Sequence, residues 1–409
     1  YTLPQDKSKS FEPTVAVYPT PWNNNTKILH VGIKGYDISP EKKPKSNLVF
    51  LIDVSGSMNR PDKLPLLKNS FSLLVDELCP EDTVGIVVYA GAAGTVLEPT
   101  KVKGKGKILA ALDRLQAGGS TAGGAGIRLA YSLAEMNFDK DAVNRVILAT
   151  DGDFNVGITN RAELKSYIER KRKTKIFLSV LGFGQGNYND ALMQDLAQNG
   201  NGTAAYIDNL NEARKVLVDE ANSTLFIIAK DVKIQVEFNP DKVHDYRLIG
   251  YETRMLRRED FKNDQVDAGD VGSGHSVTAI YEITPVESME KLVDPLRYQP
   301  QKKKIEKVSS EYAFVKIRYK LPDAETSNLI TKPVGSNLEY DTLSKTPPDM
   351  RFAISVAAFG QILRNNPYTR KFNYDDVLKL AEPARGRDSF GYRSEFLNLV
   401  RLAKSARGM

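Results

Sequence analysis

Asp53, Ser55 and Ser57 put three oxygen-bearing side chains at alternate positions around Gly56, directly after the apolar run Val49-Phe-Leu-Ile52. On a loop leaving a buried strand, such side chains can converge on one point. Oxygen-only donors suit a hard divalent cation such as Mg2+, and a mixed carboxylate and hydroxyl set leaves that ion under-neutralised. The same Asp-x-Ser-Gly-Ser run is also ordinary turn and helix-cap chemistry, because Asp and Ser satisfy free backbone N–H groups. What bears on the choice is whether further oxygen donors occur downstream at the right places. Thr121 ends the Gly-rich run Gly118-Gly-Ser-Thr121, and Asp151-Gly152 follows the apolar segment Arg145–Thr150.

Those loops need a frame that brings them together. From about residue 47 the pattern alternates buried strands (48–53, 83–89, 145–150, 175–181) with helices centred on Leu67, Leu112, Ile127 and residues 160–172. Repeated strand–helix units with strands buried on both faces predict a doubly wound, largely parallel sheet. Ligands of such sheets bind beyond the carboxyl ends of the strands, where Asp53 and Asp151 fall. Before this unit, Leu29, Val31 and Ile33 alternate with His30, Gly32 and Lys34 as in a half-buried strand. After Ala229, period-two alternation returns through Val232–Phe238, Tyr246–Tyr251, His275–Ile283 and Tyr312–Leu321. We therefore expect an antiparallel β module, a sandwich, into which the α/β unit is inserted. Beyond Pro347-Pro348 the chain turns helical, with Phe352, Val356, Phe359 and Leu363 on one core-facing stripe, Asn373 as a cap, and Phe396, Leu399 and Val400 on a third helix. The expected organisation is an N-terminal accessory segment at 1–43, the α/β domain at 45–225, the β module at 226–346 and the helical segment at 347–409.

Composition narrows the chemistry. The 409 residues, 41% hydrophobic and 26% charged, are those of a globular protein of more than one domain. One cysteine, Cys79, excludes an intramolecular disulfide framework, and we read it as a small buried residue at a helix end. His30, His244 and His275 never pair at metal-ligand spacing, which argues against a zinc enzyme. The net charge of +6 is mild, and the Lys302–Lys304 run reads as a solvated loop, so no nucleic-acid partner is expected. No apolar run is long enough to span a bilayer. The sequence starts at Tyr1 rather than Met, so an upstream segment is expected to have been removed, and any membrane attachment would run through it.

Asp53-x-Ser55-x-Ser57, Thr121 and Asp151-Gly152 together resemble the complete metal-ion-dependent adhesion site (MIDAS) of a von Willebrand factor type A (VWA) domain, a Rossmann-like fold, over roughly residues 45–225. Pro21-Trp22, Gly32-Ile-Lys-Gly35, Tyr374-Asp-Asp-Val377 and Gly391-Tyr-Arg-Ser-Glu-Phe396 extend the resemblance to bacterial YfbK-type VWA proteins. The resemblance implies that Ser55, Ser57 and Thr121 hold the ion directly or through water, that Asp53 and Asp151 often act through water, and that one position stays open for a partner's carboxylate. Mg2+ is the implied ion, with Mn2+ or Ca2+ as substitutes. The implied partner-binding rim holds Asn59, Gly119, Ser120, Asn155, Phe183 and Tyr188.

Three functions compete. The first is a metal-dependent adhesion or assembly module that takes an Asp or Glu from a protein ligand, with neither a nucleic acid nor a small-molecule substrate. The second is a structural scaffold whose metal only ties loops together. The third is a metal-assisted hydrolase, against which stands the absence of any histidine near the ligand loops. The resemblance further implies an exported or membrane-anchored bacterial protein, in the periplasm or at the cell surface.

Overall fold

The structure is a computed structural model that describes residues 1, 3–4, 9–38, 43–118, 123–152, 161–186, 188–221, 225–251, 255–266, 268–289, 291, 310–322, 324–388 and 390–407. The chain divides into two compact units. One comprises Tyr1–Tyr36, Ile228–Val271 and His275–Met409, the other Asp37–Ile227 with Gly272–Gly274. The α/β unit is thus inserted into the β unit.

In the β unit, β1 (Thr14–Thr20) and β2 (Asn23–Lys34) pair antiparallel, Val17 opposite Leu29. Leu29, Val31 and Ile33 are buried, as the alternation predicts, but His30 is buried too. The strand is central, and its second face is covered. Tyr18 Oη lies 3.0 Å from His30 Nδ1 and Tyr1 Oη 2.8 Å from Nε2, while Tyr1 also bonds the Thr278 hydroxyl. One ring N–H and one ring acceptor serve the two phenols, so the neutral imidazole is the form that fits.

The α/β unit is built from β3 (Lys45–Asp53), β4 (Thr83–Tyr89), β5 (Ala93–Lys101), β6 (Ala142–Thr150), β7 (Ile176–Phe183) and β8 (Ala204–Ile207), in the order β5-β4-β3-β6-β7-β8. All pairs are parallel except edge strand β5, which runs antiparallel to β4. Alternate residues of β3 serve two cores. Leu48, Phe50 and Ile52 meet α1 (Leu64–Glu77) and α2 (Lys105–Asp113), with Phe50 stacked on Phe71 at 4.1 Å. Val49 and Leu51 face α3 (Gly123–Met136), α4 (Arg161–Lys173) and α5 (Asp190–Asn199). That division explains the unbroken apolar run: each face of the strand needs its own hydrophobic set. Cys79 departs from expectation and is exposed. Helix α1 stops at Glu77, Leu78 is extended, and the Cys79 amide donates to Asp82 Oδ2 at 2.7 Å in the turn that follows. A short helix, α6 (Leu210–Arg214), closes the unit and runs into a π-helical turn, Lys215–Asp219.

The β unit resumes with β9 (Ile227–Phe238), β10 (Val243–Ile249), β11 (Gly269–Gly272), β12 (Ser276–Pro285), β13 (Glu311–Lys320) and β14 (Asn328–Gly335). They complete two antiparallel sheets, β1-β2-β12-β10 and β11-β9-β13-β14, and Phe238 of one stacks on Tyr246 of the other at 4.1 Å. Strand β14 escaped the periodicity because Pro333 interrupts it; it lies at a sheet edge, where a residue without an N–H is tolerated. The Lys302–Lys304 run lies outside the described residues.

Helices α7 (Pro348–Leu363), α8 (Tyr374–Ala381) and α9 (Tyr392–Arg407) share a core with Tyr18, Trp22, Ile28 and Ile280. Asn373 caps α8 in a capping box with Asp376. On α7 Met350, Phe352, Ile354, Ala358 and Ile362 are buried and Phe359 packs against the core, as expected for Phe352 and Phe359, but Val356 and Leu363 face solvent, and so does Leu399 on α9. A dense buried knot ties the helices to the strands. Glu282, 1% exposed, accepts from Trp22 Nε1 (3.1 Å), Thr26 Oγ1 (2.8 Å) and Arg247 Nε (3.0 Å), and Arg247 also donates to Gln361 Oε1 (2.7 Å). Among the described residues no helix is long and apolar enough to cross a membrane.

Two outcomes follow for stability, both readable through Trp22, the single tryptophan. Glu282→Ala removes a buried carboxylate from the partly buried Arg247 and leaves the guanidinium with Gln361 as its hydrogen-bond partner among the described residues. That should cost up to roughly 3 kcal/mol in urea unfolding; an unchanged midpoint would count against the knot. Burial lowers His30 from 6.5 to about 4. Between those values the unfolded chain binds a proton that the folded chain refuses. Stability should therefore fall by up to about 3 kcal/mol as pH drops through that window. In His30→Gln the slope from pH 6.5 to 5 should flatten, and an undiminished slope would assign it to other groups.

Candidate functional site

The strand order reverses beside β3: the chain leaves its carboxyl end for β4 on one side and returns through β6 on the other. Such a reversal, at the carboxyl ends of the strands, is where open α/β sheets receive ligands. The register pairs Ile52 with Ala149, which sets Asp53 beside Thr150 and brings Asp151 to the same edge. Both carboxylates are buried, Asp53 at 0% and Asp151 at 1% exposure.

Their surroundings partly offset that burial. The Ser55 amide donates to Asp53 Oδ1 at 2.9 Å and the Thr150 hydroxyl to Asp53 Oδ2 at 3.3 Å, while the Gly152 amide fixes Thr150 Oγ1 at 3.2 Å. Burial still pushes the Asp53 carboxyl above its ordinary range; the Ser55 amide and hydroxyl hold it back, and the charge on Asp151 adds to the rise. Behind it lies the fully buried Tyr89, whose hydroxyl burial and the Asp53 charge push well above the usual phenol range.

Turn chemistry accounts for Asp53 in part, since its bond to the Ser55 amide is an Asx turn. It does not account for the serines. Ser55 stands at the N-cap of a 3-10 turn, Gly56–Met58, yet its side chain caps nothing and lies 3.1 Å from the Ser57 hydroxyl. Ser55 is buried and Ser57 exposed, so this hydroxyl pair leads from the carboxylates to solvent. Hard oxygens in this arrangement fit Mg2+ by donor type. Among the described residues no three or more His, Cys, Asp or Glu side chains form a metal cage; this donor set has two carboxylates and draws the rest from hydroxyls.

The described residues thus bring together Asp53, Ser55, Ser57 and Asp151. Thr121, Gly119, Ser120 and Asn155 lie outside them. Gly118 donates its amide to the Val54 carbonyl at 2.8 Å, which ties the loop that leads to Thr121 onto the Asp-x-Ser loop. Asn59 is exposed. Phe183, expected on the rim, is fully buried in the core, because β7 continues through it before the loop begins. Tyr188 is half-buried against Tyr206, ring centroids 4.9 Å apart, and burial raises its hydroxyl to about 12. Its ring lies across Gly182, where a Cβ would come within 2.0 Å of it.

Lys63 was not anticipated. Its Nζ lies 2.8 Å from Asp151 Oδ2, the two side chains 6% and 0% exposed. Its distance in sequence from Asp151 hides it; the available hint is a lysine, rather than Ser, Thr, Asp or Asn, immediately before the first residue of a helix.

Comparison with known proteins agrees with this architecture. Residues 47–219 match the von Willebrand factor type A domain, and residues 223–406 match a family described as uncharacterized protein YfbK, C-terminal. The Escherichia coli YfbK protein is 44% identical over 404 residues, covering 98% of this chain and 69% of its own length. A Synechocystis protein is 29% identical over 185 residues, 45% of this chain and 43% of its own. A von Willebrand factor type A structure from Catenulispora acidiphila superposes with a TM-score of 0.53 at 14% identity, covering 98% of this chain and 92% of its own, which speaks to fold alone. Two buried carboxylates at the switch point of a VWA sheet, in a chain whose later residues match the YfbK C-terminal family, go with kinship along nearly the whole chain: this protein belongs to the YfbK family of bacterial VWA proteins.

Proposed function

We propose that the protein is a metal-dependent protein-recognition module, in which a divalent cation held at the carboxyl ends of the strands accepts a carboxylate from a protein partner. The observation that carries this reading is the path of oxygens from buried Asp53 through the Ser55 and Ser57 hydroxyls, 3.1 Å apart, to the surface. Asp53, Ser55, Ser57 and Asp151 would hold the ion, joined by Thr121. Bound there, Mg2+ or Mn2+ would supply a positive centre only partly neutralised by neutral hydroxyls and water-mediated carboxylates. A partner's Asp or Glu would gain from meeting that centre as the contact displaces water.

This chain's own residues supply the rest. Thr150 and the Ser55 amide orient Asp53, and exposed Asn59 and half-buried Tyr188 would take part in meeting the partner. The α/β unit contains no histidine, and none of the contacts described supplies a nucleophile with its base, so recognition rather than turnover is the reading favoured. We infer that the partner is met outside the cytoplasm, at the periplasmic or outer face of a bacterial cell. Fractionation that recovers the natural protein only from cytosol would remove that part of the proposal.

Calorimetric titration of the full chain with Mn2+ and Mg2+ tests the centre. One saturable site, abolished in Asp53→Ala/Ser55→Ala, is the expected result. Titration heats identical in wild type and double variant, with equal thermal shifts at excess Mn2+, would overturn the metal reading.

A further inference from the structure

Lys63 sits where local rules disfavour it. It occupies the N-cap of α1, a position that favours a side-chain oxygen and disfavours a cationic residue, and its side chain does not cap the helix. A locally unfavourable residue kept in place needs a non-local reason. Here the reason is visible: the ammonium reaches Asp151 Oδ2 at 2.8 Å in a site closed to solvent.

The neighbouring loop is shaped around that reach. Gly184 has φ +76, and a Cβ on it would come within 2.4 Å of Lys63 Cγ and 2.5 Å of Cε. The lysine stem therefore fills the space that any side chain at 184 would need. Two further bonds hold the loop in that position, Tyr206 Oη to the Gly184 carbonyl at 2.9 Å and the Gln185 amide to Asp62 Oδ2 at 3.2 Å. A slot built from three separate segments delivers one positive charge to Asp151.

We propose that Lys63 is a tethered counter-cation of the metal centre: its ammonium holds Asp151 when no ion is bound, and a divalent ion must displace it to load. This rests on the metal reading above and adds the regulation of that site. The electrostatics run in one direction. Two buried carboxylates need compensating charge. A single ammonium meets part of that need and keeps the ion-free protein folded. A dication at the same carboxylate repels the ammonium, most strongly where water is excluded. Loading thus exchanges one cation for another, the site binds its metal more weakly than its oxygens alone would, and withdrawal of Lys63 disturbs the Gly184–Gln185 loop on the partner-facing edge.

Lys63→Met tests this on the full chain, because methionine keeps an unbranched stem for the Gly184 slot and removes the charge. Calorimetry should find Mn2+ bound about tenfold more tightly than by wild type. The metal-free melting temperature should drop by several degrees and return with excess Mn2+. Lys63→Arg, which keeps the charge, should show no gain in affinity. If Lys63→Met is unfolded without metal, recovery of its circular dichroism at Mn2+ concentrations below those that half-saturate wild type supports the proposal; no recovery at any concentration overturns it. Equal or weaker Mn2+ binding by Lys63→Met, with wild type binding and Asp53→Ala not, overturns the role of Lys63 and leaves the metal reading standing. Absence of Mn2+ binding in both wild type and Lys63→Met overturns both.

Discussion

The burial of two carboxylates at the carboxyl ends of adjacent parallel strands is the constraint on which the rest of the α/β unit depends. Asp53 and Asp151 are shut off from water on neighbouring strands. An uncompensated charge in such a place costs several kcal/mol. Each offsetting group comes from a different part of the chain: an amide one turn on at Ser55, a hydroxyl from β6 at Thr150, an ammonium from the start of α1 at Lys63. Only the parallel topology, which sends every strand–helix loop to one edge, lets these groups meet. The doubly wound sheet is the device that makes so expensive a pair of charges tolerable.

Much of this was legible because it follows from local periodicity. The run Leu48–Ile52 serves two cores by alternation, and that alone demands cover on both faces and hence crossover helices. The Asp-x-Ser-x-Ser spacing could be read because a strand ending fixes where its next few side chains go. What stayed hidden is what depends on distant packing. Lys63 needs Asp151, eighty-eight positions away, and the Gly184 slot to have any meaning. Phe183 reads as a loop residue only if the strand is ended too early. His30 looks like the solvent side of an alternating strand until Tyr1 and Tyr18 close over it. On α7 the apolar residues are dense enough that two stripes fit a period of 3.6, and packing chose Ile354 and Ala358 over Val356 and Leu363.

The β unit is held by a different logic from the α/β unit. Its N-terminal hairpin, its later strands and its C-terminal helices are remote in sequence, yet Trp22, Thr26, Arg247, Glu282 and Gln361 share one buried hydrogen-bonded cluster. Arg247 also lies over the Tyr368 ring at 4.2 Å, so the guanidinium is used on its face as well as its edge. A cluster in which every member has a partner specifies one arrangement of these segments, because any slip would strand a charge. The C-terminal helices are thereby an integral layer of the β unit and not an appended tail.

A metal centre designed for permanence would leave no internal cation beside its ligands. Structural ions are best held when nothing competes for the oxygens, and a loop-tying role would be served by strong, simple coordination. The presence of Lys63 on Asp151 argues the other way. On the proposed reading, a site kept folded without its ion by a charge from the protein would lose and regain that ion without unfolding. Reversible occupancy is of little use to a scaffold and of direct use to a module that binds and releases a partner. The arrangement of one ammonium, two carboxylates and an exposed hydroxyl is therefore better matched to regulated recognition than to mechanical support.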